Sequence, residues 1–179
     1  VETLDLGGEL GFFNERLRST IDWYQRDTKG MLAPGMDLPG VVGASAPTEN
    51  TASLRTRGWE VKVDWSDRIG TVGYRVGMGF FDSKSHITKY DDNDTYSLST
   101  YYKGQQIGEI WGYVSERLAQ PEDFDNAGAL LPGLFKYKTV TKLNPGDVLY
   151  KDLDGDNTIW YGENTVHNPG DRKVIGNNQ

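Results

Sequence analysis

The sequence predicts an all-β fold built from antiparallel hairpins, and three observations support this. Apolar and polar residues alternate with period two, as in strands whose side chains point to opposite faces. The chain has 22 glycines and 12% aromatic residues, which favour turns and pleated sheets. No apolar stretch approaches about 18 residues, which excludes a membrane-spanning helix but not a transmembrane β-barrel, whose strands need only about 10 alternating residues.

The first hairpin is predicted near the N-terminus. Apolar and polar residues alternate over residues 3–12 and again over 16–24, and Asn14-Glu15 between them offers a turn. The apolar positions are Leu4, Leu6, Leu10, Phe12, Leu17, Ile21 and Trp23.

The second hairpin has the clearest alternation. From Trp59 to Trp65 the odd positions are apolar and the even positions are charged, and alternation resumes from Val72 to Phe80 after a short turn containing Gly70. The apolar face of each hairpin can meet a protein core in a soluble sheet or lipid in a barrel. The alternation alone favours a soluble sheet.

The lengths of the connections favour a barrel instead. The turns inside the hairpins are short and the other connections are long, which is typical of bacterial outer-membrane barrels and rare in compact soluble domains. We therefore predict about four strands of a large transmembrane β-barrel with a long extracellular insert. The predicted parts are two hairpins at 1–81 with a long loop at 31–57, the insert at 82–171, and the start of another barrel strand at 172–179.

An acidic loop at 152–163 lies inside the insert. Asp152, Asp154 and Asp156 stand at positions 1, 3 and 5 of an EF-hand-type calcium loop, with the carbonyl of Thr158 at position 7 and Glu163 at position 12. Calcium takes six to eight hard oxygen ligands, which this set of residues supplies. The residues predict a structural Ca²⁺ site that holds the insert together.

Two residues depart from the calcium-loop pattern. Asn157 stands where Gly is usual, although Asn is the next residue to accept a positive φ. Trp160 at position 9 offers no oxygen ligand. No helices flank the loop, so a calcium switch is not expected. The alternative is an Asp-Gly turn that binds nothing, in which the aspartates bond to their own backbone.

A short repeat brackets the acidic loop. Asn144-Pro-Gly-Asp147 recurs as Asn168-Pro-Gly-Asp171. Pro presets φ at the second position of a turn and Gly permits a positive φ at the third, so both are predicted to be type II turns that lead into extended segments.

Charge and composition exclude several functions. The net charge of −7 and the lack of a basic run argue against nucleic-acid binding, and the absence of cysteine excludes disulfides and thiol catalysis. His86 and His167 lack any motif of catalytic or metal-binding spacing. The acidic runs at 91–94 and 122–125 are interpreted as solvated loop charges. No catalytic residue is predicted, and the protein is not expected to be an enzyme.

Aromatic pairs in the insert are candidates for contact with a sugar or peptide. Such rings offer flat stacking faces, although most rings in a loop domain pack against each other. The candidate substrate-binding residues are Trp111, Tyr113, Trp160 and Tyr161.

Several short motifs follow one another in an order that resembles a known family. They are Arg57-Gly-Trp-Glu60, Ile87-Thr-Lys89, Gly108-Glu-Ile-Trp-Gly-Tyr113, Pro145-Gly-Asp-Val-Leu-Tyr-Lys-Asp-Leu-Asp-Gly-Asp156 and Gly170-Asp-Arg-Lys-Val-Ile-Gly-Asn177. The ordered set resembles the late barrel region of SusC/RagA-type TonB-dependent outer-membrane transporters.

This resemblance implies a function and partners. Such proteins are plugged barrels of about 22 strands that import glycans or peptides across the outer membrane of Bacteroidetes-type bacteria. They are driven by TonB and are covered by a SusD-like surface lipoprotein. The chain would be an internal fragment with periplasmic short turns, an extracellular insert and an apolar face against outer-membrane lipid. Trp111 and Tyr113 would lie in a family motif.

The alternative is a secreted, calcium-stabilised β-sandwich that binds carbohydrate. The two hypotheses differ in the environment of Trp65, Tyr74 and Phe80, which would face lipid in a barrel and a protein core in a sandwich.

Overall fold

The computed structural model describes residues 1–34, 48–134, 136–140 and 142–178. In these ranges the chain forms ten strands and one short 3-10 helix, Pro121–Asp123, and no helix there is long and apolar enough to cross a bilayer. The strands are β1 (Glu2–Phe12), β2 (Leu17–Pro34), β3 (Thr48–Ile69), β4 (Val72–Tyr90), β5 (Glu109–Tyr113), β6 (Ser115–Leu118), β7 (Lys136–Tyr137), β8 (Val148–Tyr150), β9 (Thr158–Ile159) and β10 (Arg172–Asn177).

The first of two compact units is a four-stranded antiparallel sheet in the order β1-β2-β3-β4. Both predicted hairpins are confirmed. Asn14 and Glu15 in the first turn have φ of 54° and 64°, and Gly70 in the second has φ of 62°. These left-handed conformations are typical of tight hairpin turns, and Gly adopts them without steric cost.

The pairing register puts the apolar positions of all four strands on one face. Ile21 pairs with Val61, and Val61 pairs on its other side with Phe80. Charged residues and glycines share the opposite face, where Lys62 pairs with Gly79. Because side chains alternate along a strand, this register separates an apolar face from a polar face between the hairpin turns and the Trp23–Trp59 pair.

The strands are longer than the sequence predicted. The loop predicted at 31–57 is partly strand, because β2 continues to Pro34 and β3 begins at Thr48; residues 35–47 lie outside the described ranges. The predicted insert begins too early, because β4 continues to Tyr90. Residues 103–107 also belong to the sheet unit, since the Ile87 N–H donates to the carbonyl of Gln105 at 2.9 Å.

The second unit contains residues 93–102 and the chain from Gly108 onward. It holds three two-stranded sheets: β5 with β10, β6 with β8, and the parallel pair β7 and β9. Its buried side chains include Ile159, Leu149, Ala119 and Tyr102, together with the polar residues Asn93 and Asp171. This small core is therefore built around hydrogen-bonded polar groups as well as apolar ones.

Candidate functional site

The apolar face of the sheet forms a band bounded by two aromatic rows. Trp23 and Trp59 are register partners at one end of the band. At the other end the Trp65 indole N–H donates to the Tyr74 hydroxyl at 3.3 Å, and Phe13 packs edge-on against Trp65 at 6.1 Å. The six-residue step from Trp59 to Trp65 spans about 20 Å along a strand. An apolar band between aromatic girdles is the lipid-facing pattern of a membrane barrel.

The band is not covered by protein in the described part of the chain. Phe80 and Met78 are 55% and 62% exposed, and Tyr74 is exposed as well. A β-sandwich would bury Tyr74 and Phe80 in its core, so these exposures contradict the β-sandwich alternative. Trp65 is half-buried, because Phe13 lies against it.

The opposite face of the sheet is polar. Arg75 donates to Asp64 at 3.1 Å, and the Tyr24 ring lies across Gly58, where an added Cβ would come within 2.5 Å of the ring. In a barrel this face lines the lumen. It offers charges and backbone surface to a polar solute.

Polar residues replace the apolar band beyond the Trp23–Trp59 row. On the same face of the sheet, Arg55 donates to Asp27 at 2.6 Å and Arg57 donates to the side-chain oxygen of Gln25 at 2.8 Å. Lys84 is the register partner of Arg57. The change from indole rings to charged groups marks the end of the apolar band that lies farther from the hairpin turns.

The acidic loop brings three of its predicted ligands together. Carboxylate oxygens of Asp152, Asp154 and Asp156 lie within 4.8 Å of one another. Asp152 accepts the backbone N–H groups of Gly155 at 2.6 Å and Asn157 at 2.9 Å. Asn157 has a φ of 61°, as the sequence predicted for the residue in place of Gly.

The remaining two predicted ligands are placed differently. The backbone N–H of Thr158 donates to Asp156 at 2.7 Å, and Thr158 also lies in β9 opposite Lys136. Glu163 is not part of the three-carboxylate cluster, and its N–H donates to the carbonyl of Asn168 at 3.0 Å. The loop thus gathers three side chains of the predicted set of five residues.

The three carboxylates are not equivalent. Burial acts to raise the pKa of Asp152, but hydrogen bonds from the Asn157 and Gly155 backbone outweigh it and lower that pKa. Burial raises the pKa of Asp154, and the neighbouring carboxylates of Asp171, Asp156 and Asp152 add to the rise. Crowded negative charge of this kind is what a bound cation would neutralise.

Asp171 organises the acidic loop, a role that the sequence did not reveal. Its carboxylate is fully buried and accepts the N–H of Leu153 at 2.8 Å and of Trp160 at 2.9 Å. The Asp171 N–H in turn donates to the Trp160 carbonyl at 3.0 Å. Strand β10, which begins at the next residue, is therefore attached directly to both sides of the loop.

The two Asn-Pro-Gly-Asp repeats both contain a glycine with positive φ, but their aspartates have different roles. Gly146 and Gly170 have φ of 96° and 59°, and each repeat leads into a strand, as predicted. In the first repeat the Asp147 N–H donates to the Asn144 carbonyl at 3.0 Å and closes a turn, and the Asp147 carboxylate accepts the Asn144 N–H at 2.7 Å. In the second, Asp171 bonds to the acidic loop instead. The repeated aspartate is thus a local cap once and a long-range anchor once.

Trp111 and Tyr113 lie on the same face of β5, in partly buried contacts. The Trp111 indole N–H donates to Glu109 at 2.9 Å, and Glu109 also accepts a hydrogen bond from the hydroxyl of buried Tyr102. Tyr113 packs on Tyr150 with ring centroids 5.1 Å apart. Burial raises the pKa of Tyr113. Both predicted residues serve to hold the insert together.

Trp160 and Tyr161 lie inside the acidic loop, near its C-terminal end. Lys138 Nζ lies 3.5 Å from the centre of the Trp160 ring, and the Arg172 guanidinium lies 5.9 Å from that of Tyr161. Arg172 is also the register partner of Tyr113. Tyr161 is 48% exposed, so one of its surfaces is open to a ligand.

Two acidic runs predicted to be solvated contain structural residues. Asn93 in the first run is buried, and its side chain donates to the carbonyls of Ser97 and Tyr101, both at 2.9 Å. Asp123 in the second is paired with Arg117, which donates a second hydrogen bond to it at 2.8 Å. That ion pair, together with a hydrogen bond from a backbone N–H, lowers the pKa of Asp123 to about 2. Interpreting all of these residues as free loop charges was wrong.

Comparison with known proteins gives consistent results. A family model described as TonB dependent receptor-like, beta-barrel matches residues 1–171. Two curated relatives from Formosa agariphila, TonB-dependent receptor P3 and TonB-dependent receptor P39, are 27% and 24% identical over 97% and 96% of the chain. The chain spans only 17% and 18% of their lengths.

A solved structure, the RagAB peptide transporter, shares the fold. Its TM-score is 0.52 at 19% sequence identity, over 72% of this chain and 16% of that one. Together with the family match, this agrees with the four-stranded antiparallel sheet seen here.

Proposed function

Because this chain belongs to the TonB dependent receptor-like β-barrel family, we propose that it is part of a transporter that imports glycans or peptides. It is an outer-membrane protein of the SusC/RagA type. The observation that carries the proposal is the two-faced sheet, with an exposed apolar band on one face and paired charges on the other. Its curated relatives are receptors rather than enzymes, and we propose no catalytic activity for this chain.

The membrane placement follows from the two faces. The apolar band would lie in lipid, and the face bearing Arg75 and Asp64 would line the transport path. A charge near the middle of the lipid face costs about 2–4 kcal/mol in a membrane barrel, whereas lumenal charges are tolerated. A charge introduced into β4 should therefore destabilise the barrel at a lipid-facing position and be tolerated at the adjacent lumenal position.

Met78 and Gly79 test this placement within the intact parent protein. We expect Met78→Arg to reduce the folded fraction strongly, as measured by the heat-modifiable electrophoretic mobility of membrane barrels. Gly79→Arg is the matched control on the opposite face. A Cβ there meets only the Lys62 side chain, at 3.9 Å, so repulsion from that register partner costs at most about 1 kcal/mol. Equal damage by both substitutions would contradict the membrane placement.

The partners proposed for the parent protein are TonB, acting through regions outside this chain, and a SusD-like surface lipoprotein. One structural neighbour is described as the RagAB peptide transporter, which supports the peptide alternative for the substrate. Affinity purification of the tagged parent from its own membranes, followed by mass spectrometry, tests whether the lipoprotein is bound to it. Recovery of the parent without any surface lipoprotein under mild detergent would contradict it.

Among the predicted aromatic residues, Tyr161 is the strongest candidate for substrate contact. Trp111 and Tyr113 are engaged with Glu109 and Tyr150, whereas Tyr161 is 48% exposed beside the Arg172 guanidinium. We expect Tyr161→Ala to reduce uptake of a labelled oligosaccharide or peptide pool without lowering the amount of folded protein. Tyr161→Phe, which keeps the ring, is the matched control and retains uptake. Loss of uptake in both variants would contradict a stacking role.

A structural Ca²⁺ at Asp152, Asp154 and Asp156 is a second proposal, favoured by the three carboxylates within 4.8 Å. Tb³⁺, which replaces Ca²⁺, should give luminescence sensitised by nearby Trp160 and displaced by Ca²⁺. Asp154→Asn should abolish the signal. Asp125→Asn is the matched control, because Asp125 only caps its own turn by accepting the N–H groups of Ala127 and Ala129, both at 2.9 Å. An unchanged signal in Asp154→Asn would show that the loop is a metal-free turn.

A further inference from the structure

Two cations lie side by side at the end of the apolar band that is marked by Trp23 and Trp59. Arg57 and Lys84 are register partners in the antiparallel pair of β3 and β4, so their Cβ atoms are about 5 Å apart. Arg57 donates to the neutral side chain of Gln25. In the described ranges neither cation has a carboxylate at ion-pair distance. Like charges directly opposite each other destabilise a sheet, so this pair favours a bound anion.

The same cations line a recess of about 300 Å³ with aromatic walls. Trp23 and Trp59 lie on one side of it and His86 on the other, and Asp82 contributes one carboxylate. Two cations against one anion leave the recess positive. It combines phosphate-binding charges, indole faces on which a sugar can stack, and a carboxylate that can accept a bond from a sugar hydroxyl.

The recess also lies at a specific depth. It sits just beyond the Trp23–Trp59 row, where aromatic girdles meet the lipid headgroups of a bilayer. It is on the same face as the band, so it opens toward lipid and not toward the transport path. This placement rests on the proposed function, because it takes the band to lie in the outer membrane.

We propose that this recess binds the phosphorylated sugar headgroup of an outer-leaflet glycolipid. The phosphate lies between Arg57 and Lys84, and the sugar ring rests against the indole of Trp59. Basic side chains attract anionic headgroups, each contributing about a fivefold gain in affinity, which corresponds to about 1 kcal/mol. The site would fix the height of the sheet in the membrane.

Lipid binding by the intact parent protein tests the proposal. Delipidated parent in detergent is titrated with a diphosphorylated glycolipid and with the same lipid after enzymatic removal of its phosphates, and binding is followed by native mass spectrometry. We expect tighter binding of the phosphorylated lipid. Arg57→Gln combined with Lys84→Gln should weaken it about 30-fold, and should leave the dephosphorylated lipid unaffected.

Two further variants control for folding and for non-specific charge. Arg26→Gln with Lys62→Gln removes two cations from the opposite face, and should leave binding unchanged. Arg57→Lys with Lys84→Arg keeps both charges, and should retain most of the affinity. All variants are compared only as folded protein, identified by its heat-modifiable mobility.

Three outcomes would overturn the inference. They are equal affinity for the two lipids, an equal loss in the opposite-face variant, and complete competition by inorganic phosphate, which would indicate a site for a free anion. Failure of the proposed function is distinguishable, because it appears as equal damage by Met78→Arg and Gly79→Arg. If Met78→Arg is more damaging than Gly79→Arg but the two lipids bind equally well, the headgroup site is refuted and the membrane placement stands.

Discussion

Replacing Asp171 by Asn tests whether one buried carboxylate holds the acidic loop against β10. The carboxylate accepts two backbone N–H groups, from Leu153 and Trp160, and is fully buried. An amide of the same shape keeps one acceptor oxygen and turns an NH2 group toward the other N–H. One buried donor therefore loses its partner.

The magnitude follows from that count. A hydrogen bond to a charged group contributes about 1.5–3 kcal/mol, and an unsatisfied buried donor costs a similar amount. We expect Asp171→Asn to destabilise the closed loop by about 1.5–3 kcal/mol, or roughly 10- to 150-fold in the equilibrium constant for local opening. Asp171→Ala, which removes both bonds, should exceed this.

Hydrogen exchange measured by mass spectrometry on the intact parent protein is the assay. Peptides covering Leu153 and Trp160 should exchange faster by that factor, while peptides from β2 and β3 should not change. The repeat supplies a matched control in Asp147→Asn. Asp147 caps only the N–H of Asn144, at 2.7 Å in an exposed turn, so its effect should stay below about 1 kcal/mol. Unchanged exchange at the acidic loop in Asp171→Asn would refute the reasoning.

Two further predictions concern packing and pH. Gly58→Ala should destabilise the parent barrel by about 1–3 kcal/mol, because the new Cβ would lie 2.5 Å from the Tyr24 ring. Adding Tyr24→Ala should recover part of this stability. If it recovers none, the ring is not the cause of the destabilisation. Because the pKa of Asp123 is lowered to about 2, its ion pair with Arg117 should stabilise the insert fully above about pH 4 and lose that contribution as the pH falls through about 2. An NMR titration of the Asp123 carboxyl group checks this, and a midpoint near the ordinary value of 3.8 would contradict it.

The sheet was predictable because its signal is local. The period-two alternation on both sides of each turn specifies the strand faces, and Gly70 marks a turn that needs a positive φ. The outer ends of the strands were missed because alternation stops there. Register shifts between Thr28 and Met31, and between Ser53 and Leu54, change which face each residue occupies.

The insert was harder to predict because its structure depends on contacts distant in sequence. Asp152, Asp154 and Asp156 share a short loop, so their spacing was enough to predict that they come together. Asp171 bonds to Leu153 across 18 residues, and no local pattern distinguishes it from Asp147 in the identical repeat. Only the folded structure shows that the two aspartates have different hydrogen-bond partners.

The pairing of β5 with β10 brings the two ends of a long excursion together. Tyr113 and Arg172 are register partners, so the chain from Val114 to Asp171 leaves and returns at neighbouring points. The length and the surface of such a segment can change while β5 and β10, which hold its two ends, keep their register. We therefore expect that a change of length or surface between these two points leaves the Tyr113–Arg172 pairing in place, provided that the buried Asp171 is kept.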